Sequence, residues 1–266
     1  LGKAKINKRI LINLMKKTIF ITGATSGIGE ASAIRFAAAG FRLILTGRRA
    51  DRLSDLSYRL KNLYESDILQ LDFDVQNRNK VNEAIESMND EWKQVDILLN
   101  NAGLALGREP FDQASVDDWD TMLHTNVNGL LYVTRAVLPL MEKSNSPQII
   151  NIGSIAGKEV YADGNVYCAS KFAVDAITRA MRIDLLKKGI KVTVIHPGAV
   201  ETEFSVVRFK GDLEKASAAY IGFQPLHAAD VADAIFYVSG LPEHVCINEL
   251  VIMPKQQAST SYFDKK

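Results

Sequence analysis

Residues 18–29 read TIFITGATSGIG. The apolar run at 18–22 leads into a glycine-rich turn, and an alanine-rich segment at 30–39 with helical character follows. Strand, turn and helix in that order are what a phosphate-binding loop requires. Glycine lets the backbone approach a pyrophosphate, and the helix start offers free N–H groups and the positive end of a dipole. Outward from this unit, strand-like runs at 41–46, 68–73, 95–99, 148–152, 190–195 and 248–252 alternate with helical stretches. Such alternation predicts an α/β fold: a Rossmann-type doubly wound parallel sheet of about seven strands with helices on both faces. No linker or low-complexity stretch interrupts it, so residues 18–266 are expected to form a single domain.

The chemistry concentrates in Ser154, Tyr167 and Lys171. A tyrosine four residues ahead of a lysine on a helix puts both side chains on one face. A free phenol ionises near pH ~10, and a catalyst at neutrality needs it roughly three units lower, about 4 kcal/mol. The adjacent ammonium supplies part of that in this reading, and the positive ring of an oxidised nicotinamide the rest. Ser154 then holds a substrate oxygen while Tyr167 exchanges its proton and hydride moves at the neighbouring carbon.

Further motifs follow in order: NNAG (100–103) after the strand-like VDILL, NVNG (126–129) in a long helical stretch, NIGS (151–154), YCASK (167–171) and PGAVET (197–202). From about Thr18 to about Met253 this series resembles the short-chain dehydrogenase/reductase family. The resemblance implies Asn126 as a fourth catalytic residue, which shapes a helix irregularity and holds a water linking the lysine to solvent. It also implies cofactor contacts from Gly23, Thr25, Ser26, Gly27, Ile28 and Gly29 in the first turn. Asp74 and Val75 would flank the adenine, and Asn101, Ala102 and Gly103 would pass under the adenosine ribose. Tyr167 and Lys171 would meet the nicotinamide ribose, with Pro197, Gly198, Val200 and Thr202 beside the nicotinamide.

After the second strand the chain reads LILTGRRADRL (43–53). Gly47 stands where NAD-preferring members of the family carry an acid, and Arg48 and Arg49 follow. Guanidinium groups grip a 2′-phosphate through paired charged hydrogen bonds, so the reading favours NADP. The alternative is that both arginines are solvated residues opening the next helix.

Beyond PGAVET the segment EFSVVRFKGDLEKASAAY (203–220) matches the family's substrate lid. With NNAGLALG, GSIAG and VIMPKQQAS, it looks like the branch that acts on short 3-hydroxy acids such as serine, allo-threonine and 3-hydroxyisobutyrate, and on semialdehydes such as malonic semialdehyde. A small acid needs a cation, and Arg208 is the first candidate for its carboxylate, with Arg108 second. The competing role for Arg208 is a lid-surface or subunit contact. Two other functions stay open: a reductase of larger ketones or 3-oxoacyl thioesters, and a noncatalytic dinucleotide sensor.

With 47% hydrophobic and 24% charged residues and a formal net charge of +1, the 266-residue chain has no nucleic-acid or anionic-membrane footprint. Its two cysteines, Cys168 and Cys246, give no disulfide framework and suit a reducing, cytoplasmic setting. The four histidines show no metal-ligand spacing, so no metal is expected. Residues 1–17 hold six lysines or arginines and no acid. They read as a basic extension, non-native before Met15, native and helical, or left from a targeting peptide. The family resemblance implies a homotetramer packed through the helices around 117–143 and 165–187.

Overall fold

A computed structural model describes residues 17–266, so the expectations for the basic extension and for Met15 lie outside the described residues. Seven parallel strands form one sheet: β1 (Thr18–Ile21), β2 (Arg42–Gly47), β3 (Ile68–Asp72), β4 (Ile97–Asn100), β5 (Gln148–Ile152), β6 (Lys191–Pro197) and β9 (Glu249–Ile252), in the order β3-β2-β1-β4-β5-β6-β9. Each of the seven apolar runs in the sequence supplies one strand. The fourth begins two residues later than its run; Asp96, just before it, accepts the Thr18 N–H on its carboxylate at 2.7 Å. A further parallel pair, β7 (Val200–Glu201) with β8 (Leu226–His227), stands apart from the sheet. Two-residue strands carry too little periodicity to be read in advance.

Alternation along the strands divides the core in two. Ile19, Ile21, Leu43, Leu45, Ile97, Leu99, Ile150 and Ile152 face one apolar layer. Phe20, Ile44, Leu98, Ile149 and Val192 face the other. The first layer is closed by α1 (Gly27–Ala37), α2 (Ala50–Tyr64) and α9 (Ala228–Ser239). Behind the second lie α3 (Arg78–Glu86), α5 (Leu130–Met141) and α6 (Asn165–Asp184). Fully burying one such aliphatic side chain stabilises by about 1.5–3 kcal/mol, which explains why strands covered on both faces read as unbroken apolar runs.

The chain runs from β1 out to β3 and then returns to β4 on the other side of β1. This reversal opens a crevice beyond the carboxyl ends of β1 and β4, where doubly wound sheets bind ligands. Packing at its floor is tight: a Cβ on Gly29 would lie 2.2 Å from the Gly23 carbonyl oxygen, so α1 approaches the turn only without a side chain there. The helical stretch near 117–143 is not one regular helix. It comprises α4 (Val116–Leu123), a π-helical turn at His124–Gly129, and α5. The segment expected to form the lid consists of α7 (Glu203–Arg208) and α8 (Leu213–Ala218). Among the described residues no helix is long and apolar enough to cross a membrane.

Candidate active site

One elongated cleft at the carboxyl end of the sheet is lined from Thr25, Ser26, Arg48 and Arg49 at one end to Ser154, Tyr167, Phe204 and Val207 at the other. Every residue singled out for the cofactor or for catalysis in the sequence lines this cleft except Gly29 and Asn126, which lie just behind its wall.

At the nucleotide end Arg49 precedes α2 and turns back onto the first turn. Its Nη2 donates to Thr25 Oγ1 at 3.0 Å and Ser26 Oγ at 2.9 Å. Arg48 pairs with Asp74 at 3.4 Å. Both guanidinium groups thus line the cleft, while Arg49 also precedes the next helix as the alternative reading has it. A carboxylate absent from the sequence expectations also reaches this end: Glu203, on the lid, accepts from Arg49 at 3.0 Å and Arg52 at 2.6 Å. These two arginines hold its carboxyl below the usual range against the opposing effect of burial.

Asn101 joins the loops after β1 and β4. Its Nδ2 donates to the Thr22 carbonyl at 2.9 Å and its backbone N–H to Thr22 Oγ1 at 2.9 Å. Asn126 sits in the π-helical turn, where its Oδ1 accepts the Leu104 N–H at 2.8 Å and its Nδ2 donates to the Leu104 carbonyl at 2.8 Å and Ser170 Oγ at 3.0 Å. It thus fastens the loop after β4 to α6. Pro197 ends β6, Gly198 donates its N–H to the Ile252 carbonyl at 2.8 Å, and Thr202 caps α7 through the Phe204 N–H.

Tyr167 and Lys171 lie one turn apart on α6, both buried, with the ammonium 6.0 Å from the phenol ring centre. Lys171 Nζ donates to the Ile152 carbonyl at 3.0 Å, and burial lowers its pKa to about 8. The sequence expects the ammonium and an oxidised nicotinamide together to make the phenol acidic; the protein's own groups alone leave it high. Burial pushes Tyr167 above the ordinary tyrosine range, reinforced by Tyr161; a hydrogen bond from Ser154 and the charge of Arg208 pull it down and are outweighed. Desolvation disfavours the anion more than cations at this distance favour it. Ser154 Oγ also accepts the Ala156 N–H at 3.1 Å.

Arg208 ends α7 and folds back over the site. Its Nε donates to the Gly107 carbonyl at 3.2 Å, and its guanidinium carbon lies 5.6 Å from the Tyr167 ring centre and 5.5 Å from that of Tyr161. Arg108 lies 5.8 Å from the Tyr161 ring. Both candidate cations for an acid thus flank one tyrosine that the sequence reading missed, because Tyr161 carries no motif and enters only through its neighbours.

The sequence pattern of the short chain dehydrogenase family matches residues 17–212. The chain belongs to this family. NADP-dependent 3-hydroxy acid dehydrogenase YdfG of Escherichia coli (strain K12) is 50% identical to it over 242 residues, 90% of this chain and 96% of that one. Sulfoacetaldehyde reductase 2 of Chromohalobacter salexigens is 44% identical over 249 residues, 93% and 98% of the two chains. The closed form of serine dehydrogenase complexed with NADP+ superposes with a TM-score of 0.86 at 47% identity, covering 94% of this dehydrogenase and 99% of the other.

Residues of this dehydrogenase fit a phosphorylated dinucleotide on chemical grounds. Arginine, threonine and serine donors converge at one end of the cleft, the α1 start faces it, and two buried hydroxyls of its wall, Thr46 Oγ1 and Thr125 Oγ1, have no protein partner. His124 lies outside the cleft and bonds the Asp120 carbonyl through Nδ1. The histidine that does approach the site is His196, at the end of β6 behind Ser154.

Proposed function

We propose that this dehydrogenase transfers hydride between NADP(H) and the 3-hydroxyl or 3-oxo carbon of a short 3-hydroxy acid of the serine, allo-threonine, 3-hydroxyisobutyrate or 3-hydroxypropionate type. The observation that supports the substrate class is Arg208, a cation whose guanidinium carbon lies 5.6 Å from the Tyr167 ring centre and which we assign to the carboxylate of a small acid bonded at Tyr167. The names of the relatives support the same class.

NADP, when bound, supplies the hydride acceptor or donor. Gly23 to Gly29 and Asn101 to Gly103 would hold it, with Arg48 and Arg49 on the 2′-phosphate and Pro197, Gly198, Val200 and Thr202 at the nicotinamide end. Ser154 Oγ holds the reacting oxygen of the substrate, and Tyr167 Oη takes its proton in oxidation or returns it in reduction. The buried phenol sits high by itself, so Lys171 and the nicotinamide charge must act together to make it a base. Asn126 keeps the Leu104 loop against α6 and so fixes the pocket wall over Lys171. A cytoplasmic homotetramer fits two unpaired cysteines and the exposed Leu123, Leu131, Phe172 and Ile183 on the helices assigned to packing.

The test is steady-state turnover of the four acids, of an uncharged secondary alcohol of similar size and of larger ketones, with the NADP and NAD couples, for the wild type and Arg208→Ala. The variant is expected to lose roughly ten- to a hundredfold in kcat/KM for the acids, from a charged hydrogen bond worth about 1.5–3 kcal/mol. It should spare the alcohol. An equal loss for both makes Arg208 a lid-closure residue. Turnover of larger ketones alone, or of nothing, replaces the substrate class or the enzymatic reading.

A further inference from the structure

Ser154 stands on the short turn between β5 and α6, and both ends of that turn lead to one carboxylate on α6. At the first end lies the fully buried imidazole of His196, with Nδ1 2.9 Å from the Ser154 carbonyl oxygen. The Ser154 N–H also lies 3.3 Å from Nδ1, a contact in which Nδ1 could only accept; the carbonyl is the nearer group, and two lone pairs would repel at 2.9 Å, so Nδ1 carries the proton and donates to the carbonyl. In this tautomer Nε2 carries no proton and has no hydrogen-bond partner; it lies 3.4 Å from Asp175 Oδ1, a carboxylate whose charge Lys158 and Arg179 offset. At the other end Lys158 Nζ contacts Asp175 Oδ1 at 3.1 Å and Glu249 Oε1 at 2.8 Å. Arg179 completes the cluster, 2.9 Å from Asp175 Oδ2.

Asp175 occupies the same face of α6 as Tyr167 and Lys171, at successive four-residue steps. The turn is pressed onto that helix: a Cβ on Gly157 would come 2.6 Å from the Lys171 carbonyl oxygen. Asp175, His196 and Glu249 also bring three potential metal ligands within 4.8 Å of one another. The ammonium of Lys158 already bridges their two carboxylates, so the cation this cluster needs is a side chain.

We propose that His196 is a positioning residue: its Nδ1–H fixes the Ser154 peptide, and hence the direction of Ser154 Oγ, relative to Tyr167 on α6. The Ser154 carbonyl also accepts the Gly157 N–H at 2.8 Å. These two bonds together fix the plane of the peptide from which the serine side chain leaves. The inference rests on the reading of Ser154 as the group that holds the substrate oxygen.

Three substitutions separate the arms of the ring. His196→Asn keeps an amide donor at the Nδ1 position, His196→Gln places one at the Nε2 position, and His196→Leu keeps neither. With serine and NADP as probes, His196→Leu and His196→Gln are expected to lower kcat by about tenfold or more, the scale of a small misplacement of a reacting group. His196→Asn should recover most of the loss, while the Kd for NADPH read by fluorescence stays at the wild-type value in all three. Equal kcat in Asn and Gln variants, or a Kd that moves in step with kcat, overturns the proposal. If His196→Leu does not fold, the Asn and Gln pair decides alone. Ser154→Ala, measured alongside, separates the two readings: full turnover there sinks the role of Ser154 and this inference with it. An inactive Ser154→Ala beside a wild-type His196→Gln sinks this inference only.

Discussion

The two ends of the cleft handle charge in opposite ways. At the nucleotide end, Arg48 and Arg49 keep 57% and 38% of their side-chain surface exposed and are tied to Asp74 and Glu203 by ion pairs that water screens. At the hydride end, Tyr167 and Lys171 are 8% and 6% exposed, and burial drives each toward its neutral form. Exposed charge discriminates between ligands at modest cost in stability; buried charge changes reactivity and does so by large amounts. The outer end should therefore govern which nucleotide binds, and the inner end how fast it reacts.

The sharpest way to break this division is Tyr167→Phe, which deletes one oxygen from a buried ring. Turnover should fall by at least the ~10²-fold typical of a lost general acid or base, with cofactor affinity and folding nearly intact. Retention of more than a tenth of wild-type turnover would remove Tyr167 from the chemistry.

Arg48→Ala combined with Arg49→Ala probes the outer end. The KM for NADP should rise by roughly tenfold or more, with that for NAD little changed, since a charged hydrogen bond is worth about 1.5–3 kcal/mol and only NADP carries the 2′-phosphate. Equal increases for both nucleotides would mean that the arginines serve the fold through Thr25, Ser26 and Glu203 instead.

A smaller effect concerns stability and pH. Lys171 falls from 10.5 to about 8 on folding, so between these values the unfolded chain binds the extra proton. Its contribution is fully present above pH 10.5 and is lost as pH falls through about 8. At ~1.36 kcal/mol per unit the swing is about 3 kcal/mol as an upper bound. The Tm of the wild type relative to Lys171→Met should accordingly rise from pH 8 to pH 10.5. A difference independent of pH would show that Lys171 keeps its ordinary pKa in the folded state.

Legibility in the sequence follows the same line. The seven strands of the sheet are continuous apolar runs because both faces are covered, and a run of that kind is visible without neighbours. The turn at Gly23 to Gly29 is local and therefore readable, as is the Tyr167 and Lys171 pair, because helix spacing alone sets its geometry. Glu203, Tyr161 and His196 were not readable. Each acts through a partner 42 to 154 residues away, Ser154 for His196, Arg208 for Tyr161 and Arg49 for Glu203, and no periodicity connects them. The π-helical turn at His124–Gly129 was legible only through family resemblance at Asn126, since an i→i+5 hydrogen bond has no composition of its own.

One feature of the lid joins the two ends. The helix α7 has six residues, about 9 Å at 1.5 Å each, and it begins with Glu203 on the nucleotide arginines and finishes with Arg208 over Tyr167. The two ends of the cleft thus meet on one short rod. Glu203 and Arg208 belong to a single hydrogen-bonded helix, so the backbone of neither can shift along its axis without carrying the other.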